Sequence, residues 1–93
     1  MIQVFRGKET EKVWNEDHSR KLPGQIQDTA LRKLQMLNAA TVLSDLKAPP
    51  NNHLEALKDD RKGQHSIRIN RQWRVCFRWR EGNAYDVEIV DFH

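Results

Sequence analysis

Residues able to carry chemistry gather from His53 onward in this 93-residue chain. Between Arg61 and Arg80 lie Lys62, Arg68, Arg71, Arg74 and Arg78, with no Asp or Glu among them. Guanidinium groups present a planar fork of donors that matches phosphate oxygens. An anionic partner is therefore expected. The chain ends Val90-Asp91-Phe92-His93, which sets an imidazole titrating near neutrality beside a carboxylate. That pairing suits a general acid or base with an orienting neighbour. His53, after a Pro/Asn loop, Glu55, and Lys58, ahead of the basic stretch, are further candidates.

The lone Cys76 permits no internal disulfide, which fits a reducing, cytoplasmic setting. It has no histidine nearby in sequence to activate it, so a nucleophilic role is not expected. No Gly-rich phosphate loop, zinc spacing or calcium loop is present, and the reading needs no metal and no cofactor. No apolar run is long enough to span a bilayer, so no membrane partner is expected. The formal charge of +3 is modest. It is the local crowding of cations that carries information.

The elements that position these groups follow from periodicity. His65–Arg80 alternates apolar and cationic residues at the period of a strand, and reads as two antiparallel strands. Trp73, Val75, Phe77 and Trp79 would face a core, with Arg74, Cys76, Arg78 and Arg80 opposite. Glu81-Gly82-Asn83 is a hairpin turn into a last strand, Tyr85–Val90, whose Tyr85, Val87 and Ile89 join the core side. Asp86 and Glu88 would then lie among the arginines. Leu54–Leu57 reads as a short strand or extended approach, and Met1–Arg6 as a first strand of the same sheet, ended by Gly7. Ile26, Ala30, Leu31, Leu34 and Leu37 follow Pro23 at helical spacing and define the main core helix. A short helix precedes it over Lys8 to about Glu16, and a third, capped by Thr41, runs to Asp45 or Leu46 before Pro49-Pro50. Asp28 and Arg32 lie four apart on the main helix as a candidate ion pair. Asp17–Lys21 reads as a polar, mobile linker. The expected architecture is one α+β domain over 1–93, two to three N-terminal helices on one face of a mostly antiparallel sheet.

The motif Leu54-Glu55-Ala56-Leu57-Lys58-x-x-Arg61-x-Gly63-x-x-Ser66-Ile67-Arg68-Ile69-Asn70-x-Gln72-Trp73-Arg74-Val75-Cys76-Phe77, with Val87-Glu88-Ile89-Val90-Asp91-Phe92-His93, closely resembles the HigB-type toxins of bacterial toxin-antitoxin pairs, within the RelE superfamily. Leu31-x-Lys33-Leu34-x-Met36-Leu37-x-Ala39-Ala40-Thr41 and Pro50-x-Asn52 extend the resemblance over nearly the whole chain. The resemblance implies a compact α+β toxin that cuts messenger RNA in the A site of the small ribosomal subunit. It also implies a HigA-type helix-turn-helix antitoxin, through which alone operator DNA would be reached. The implied chemistry is metal-independent transfer of the phosphate to the ribose 2′-hydroxyl.

Carried over by position, Arg74 holds the scissile phosphate, Lys58 is a further basic group, His93 is the acid or base and Asp91 orients it. Strand geometry adds Arg68, Arg78 and Arg80 as contacts to the RNA backbone. Two departures stand out. Glu55 occupies a position where some members carry histidine, with His53 two residues upstream of it, so the resemblance leaves the identity of the general base open. Phe92 replaces a tyrosine often found between the acid and the histidine, and a hydroxyl is lost. A non-catalytic alternative is occlusion of ribosomal RNA by the arginine face, with binding that weakens steeply in salt.

Overall fold

The computed structural model describes residues 1–92. Helix α1 spans Lys8–Trp14 and helix α2 spans Gly24–Ala39. Strands β1 (Glu55–Ala56), β2 (His65–Arg68), β3 (Trp73–Arg80) and β4 (Asn83–Asp91) form an antiparallel sheet in the order β1-β2-β3-β4. The α+β expectation therefore stands, with two helices rather than three.

Helix α2 begins directly after Pro23, whose fixed φ suits a helix entry. Its Ile26, Ala30, Leu34 and Leu37 recur on one stripe and are all buried. They pack on Ile67, Val75, Phe77 and Val87, each with no exposed surface. Each of these side chains contributes about 1.5–3 kcal/mol through removal from water.

The expected third helix is instead a 3-10 turn over Leu43–Lys47. Its cap runs in the opposite sense to the expected one. The Asp45 carboxylate accepts from the Thr41 N–H at 2.9 Å, the Thr41 hydroxyl at 3.1 Å and the Val42 N–H at 3.2 Å. These donors hold the Asp45 carboxyl below its usual value, the Thr41 backbone N–H contributing most. Beyond Pro49, a second 3-10 turn covers Pro50–Asn52.

The N-terminal segment lies in parallel beside β4, bridging Ile2 to Ala84 and Phe5 to Val87, and does not form a continuous strand. Its bonds fall on either side of a bulge in β4, where Asp86 adopts φ 52° and the β3–β4 register shifts between Cys76 and Arg78. The extra residue also corrects the expected facing of Tyr85. It sits across from Arg78, and the Arg80 guanidinium lies 5.0 Å from its ring centroid, while Ala84, Val87 and Ile89 stay buried. Nothing in the alternation of apolar residues marks a bulge, because a one-residue insertion only shifts their phase.

Asp17–Lys21 is anchored, contrary to its polar composition. Ser19 is fully buried; its hydroxyl donates to Glu9 at 2.6 Å and its backbone N–H to the Gln27 side chain at 3.1 Å. The Ser19 hydroxyl holds the Glu9 carboxyl below its ordinary range. Asp28 and Arg32 form no ion pair; Arg32 donates to Thr29 at 3.3 Å. At the β3–β4 turn, Gly82 has φ 80°, and a Cβ there would lie 3.3 Å from the Thr41 carbonyl oxygen. Gly82→Ala is expected to cost about 1–2 kcal/mol from this backbone conformation, read as a lower denaturation midpoint at an unchanged slope.

Candidate active site

Arg74 is the centre on which the other groups converge. Its position on β3 sets its side chain on the face away from the helices, diagonal to Ser66 of β2. There its Nη1 donates to the Ser66 hydroxyl at 3.1 Å, lies 3.1 Å from a Glu55 carboxylate oxygen, and reaches the His53 carbonyl at 3.4 Å. The guanidinium carbon stands 5.6 Å from the centroid of the Phe92 ring. A cation over an aromatic face within about 6 Å gains about 0.5–2 kcal/mol. Arg74 is thus presented as a half-buried fork with one oxygen ligand from β1 and one from β2.

Glu55 is supplied by the two-residue strand β1, whose partner in register is Ser66. Its side chain is half-exposed, while that of Arg74 is less than one-fifth exposed. His53 contributes its carbonyl, not its ring; it adopts a left-handed conformation with φ 46° and is exposed. Of the two candidate bases, only Glu55 has its charged group beside Arg74.

Lys58 shares a shallow depression with Arg61 and Phe92. Phe92 therefore joins the Lys58 and Arg74 environments. Asp91 ends β4 and accepts from the Gln72 side chain at 3.1 Å. His93 lies outside the described residues.

The expected single arginine face is broken into separate places. Arg78 pairs with Asp86 at 3.4 Å, and with Arg80 it lines a depression beside Tyr85 and Gly63. Gly63 has φ 92°, a conformation that favours glycine, and a Cβ there would displace the end of the Arg78 side chain, 2.9 Å away. Arg68, at the end of β2, lines a different cavity together with residues of α2. Glu88 pairs with Arg61 at 3.4 Å rather than with a β3 arginine. The centre of the face is thus closed over Cys76, which is fully buried. Burial pushes its thiol up to about 11, with Arg61 and Arg74 opposing and Glu88 and Glu55 adding to the shift. Cys76 is expected to resist alkylation by iodoacetamide at about pH 8 in the native protein and to react once denaturant is added, followed by mass spectrometry.

Two participants escaped the sequence reading. Ser66 is a ligand of Arg74 that strand alternation does supply, being two residues from Arg68 on the same face. Phe92 was read as a missing hydroxyl, yet its ring is a wall of the site. Only the fold brings the chain end back to β3.

A short helical layer on an antiparallel sheet that places a basic centre at one end is the architecture of the RelE-like toxins. Structures with this fold include a point mutant of YafQ from E. coli (TM-score 0.61, 11% identity, 98% of this chain and 93% of that one). Another is a YoeB/ParE toxin from Agrobacterium tumefaciens (TM-score 0.52, 18% identity, 100% and 99%). Toxin HigB-1 of Vibrio cholerae is 41% identical over 85 residues, 90% of each chain, and Endoribonuclease HigB of Proteus vulgaris is 30% identical over the full length of both. Residues 3–93 match the family model described as RelE-like toxin of type II toxin-antitoxin system HigB, and the chain belongs to that family. Membership implies a cognate antitoxin. No helix among the described residues is long and apolar enough to cross a membrane.

Proposed function

We propose that this toxin is an endoribonuclease that cleaves messenger RNA on the ribosome, within the A site of the small subunit, and so arrests translation. The observation that carries the reading is the pairing of a half-buried guanidinium, Arg74, with a half-exposed carboxylate, Glu55, at 3.1 Å. A phosphodiester drawn to Arg74 necessarily comes within reach of Glu55. The name of the Proteus vulgaris relative, Endoribonuclease HigB, supports the same activity.

In this reading Glu55 takes the proton of the ribose 2′-hydroxyl as the 2′-oxygen bonds to phosphorus. Arg74 offsets the charge that grows on the non-bridging oxygens, with Lys58 as a second cation. The bond from phosphorus to the 5′-oxygen breaks, and that oxygen takes a proton from His93, which Asp91 orients. The products are a 2′,3′-cyclic phosphate and a free 5′-hydroxyl. Every proton lost from the 2′-oxygen is balanced by one gained at the 5′-oxygen, so the step needs no co-reactant. A HigA-type helix-turn-helix protein is the antitoxin of this reading, and operator DNA is engaged through it.

The test maps 5′ ends by primer extension after adding EDTA-treated toxin to ribosomes stalled on a defined messenger, with the same RNA free of ribosomes alongside. Cuts confined to the A-site codon and to ribosome-bound RNA are expected. Translation arrested with the messenger intact would replace this reading with occlusion. Within the site, Glu55→Gln is expected to lower the single-turnover rate about 100-fold, and His53→Gln to leave it within about threefold. The reverse order would move the base to His53.

A further inference from the structure

Among the described residues, a cavity beside α2 is lined by cations and by no carboxylate. Arg32, Lys33 and Met36 of α2 form one side, Arg68 and Ile69 the other, and Pro49 and Asn51 the rim. The ion pairs of the described residues use Lys12, Arg61, Arg74 and Arg78, and none involves these three cations. Their hydrogen bonds go to neutral groups: Arg32 to the Thr29 hydroxyl at 3.3 Å, Lys33 to the Asn52 amide oxygen at 2.6 Å, and Arg68 to the Asn70 carbonyl at 3.0 Å. Asp28, one turn before Arg32, lines a different cavity, beside His18. Lys33 is only 7% exposed. Three positive groups concentrated in one concavity repel each other, and one is withdrawn from water, so an anion is the missing component.

The cavity is next to the Arg74 centre. Arg68 is the residue directly opposite Arg74 in the β2–β3 ladder, where paired Cα atoms stand about 4.5–5.5 Å apart. The same turn joins the two places, since Pro49 and Asn51 line the cavity and the His53 carbonyl accepts from Arg74. An RNA strand carries a charge at every nucleotide. With one phosphate on Arg74, an adjoining one must lie nearby.

We infer that Arg32, Lys33 and Arg68 form a second phosphate subsite, which holds a linkage flanking the scissile one in the same RNA strand. The inference rests on the RNA-cleaving function proposed above. It makes α2 part of the substrate-binding surface and assigns the cavity a positioning role: by fixing a neighbouring phosphate, it sets which linkage reaches Arg74.

The test is a cycle between protein and RNA. Messengers carry a neutral methylphosphonate at the linkage before or after the cleaved one, and are presented on stalled ribosomes to the toxin and to an Arg32→Ala/Arg68→Ala variant. Lys33 is retained because it also holds Asn52. For the unaltered toxin, one of the two methylphosphonates is expected to lower kcat/KM about tenfold, the scale of a charge-assisted contact. In the variant the same RNA change is expected to cost less than about twofold, because the groups that sensed the charge are gone. Melting midpoints within a degree or two would keep the comparison valid, and a double Arg32→Lys/Arg68→Lys variant is expected to recover part of the sensitivity. Full tenfold sensitivity in the alanine variant would overturn the subsite, as would unaltered cleavage together with weakened antitoxin binding. Absence of cleavage by the unaltered toxin would instead overturn the enzymatic reading itself.

Discussion

Arg74→Ala is expected to lower single-turnover cleavage of ribosome-bound messenger by about 1000-fold, the cost of removing a charged donor from a developing phosphorane. The fold should survive. Arg74 touches Ser66, Glu55, the His53 carbonyl and Phe92, none of which belongs to the packed centre formed by α2 on Ile67, Val75, Phe77 and Val87. Removal leaves Glu55 without its cation, but Glu55 is half-exposed and solvated. The stability loss should thus stay near about 1 kcal/mol. Arg74→Lys should fall well short of rescue, because a point charge on a flexible stem does not offer a planar fork to two oxygens. The measurement is cleavage by primer extension beside a thermal melt and antitoxin binding. Rapid cleavage by the alanine variant would remove Arg74 from the chemistry.

The largest effect on stability is expected at Asn52. This side chain is fully buried and meets four partners at once: its amide donates to the Leu46 carbonyl at 3.1 Å, to the Ala48 carbonyl at 3.2 Å and, more weakly, to the Met36 sulfur at 3.5 Å, while its oxygen accepts from the Lys33 ammonium at 2.6 Å. It ties both 3-10 turns to α2. Asn52→Leu fills a similar volume yet strands two carbonyls and an ammonium, and should destabilise by about 3 kcal/mol. Adding Lys33→Met should return about 1 kcal/mol or more, since an apolar pair no longer strands the charge. Additive losses in urea denaturation would show that Lys33 does not depend on Asn52.

The same pair makes stability depend on alkaline pH. Burial, with Arg32 adding to it, pushes the Lys33 ammonium below its ordinary value near 10.5. A lysine whose folded value is depressed binds fewer protons in the native state than in the unfolded one across the interval between the two values. In that interval its contribution to stability rises with pH. Replacement by methionine should remove this rise, read as the denaturation midpoint from about pH 7 to about pH 10.

The helix-on-sheet plan was legible because its signals are periodic. Ile26, Ala30, Leu34 and Leu37 keep helical spacing, and Val75 and Phe77 keep that of a strand. Arg74 and Lys58 are singled out by the motif that resembles the family, and Glu55 by its departure from it; the structure brings Glu55 to Arg74. Three features were not legible. The bulge at Asp86 leaves no trace in composition, so Tyr85 was placed on the wrong face. Ser19 is buried in a polar stretch because Glu9 and Gln27, contributed by two helices, satisfy its hydroxyl and backbone. The arginine series from Arg61 to Arg80 reads as one surface, whereas the fold sends its members to different places: Arg61 to Glu88 and Arg74 to Glu55, both distant in sequence, Arg78 to Asp86, and Arg68 to the nearby Asn70 carbonyl. Short-range pattern reports which way a residue points; it does not report what the fold brings to meet it.

The bridges between the first residues and β4 also set a schedule for synthesis. Gln3 donates to the Ala84 carbonyl and Arg6 to that of Val87, and the Thr10 hydroxyl accepts from the Ile89 N–H. The first tenth of the chain therefore waits for partners in the last tenth. Such closures between distant ends form late, since their loop entropy is lost before any contact offsets it. A nascent toxin stays unfinished along its outer edge until β4 has been made and has emerged, and Phe92, the wall behind Arg74, follows directly after that strand. The edge that starts the chain and the wall of the site are thus completed together, after β4.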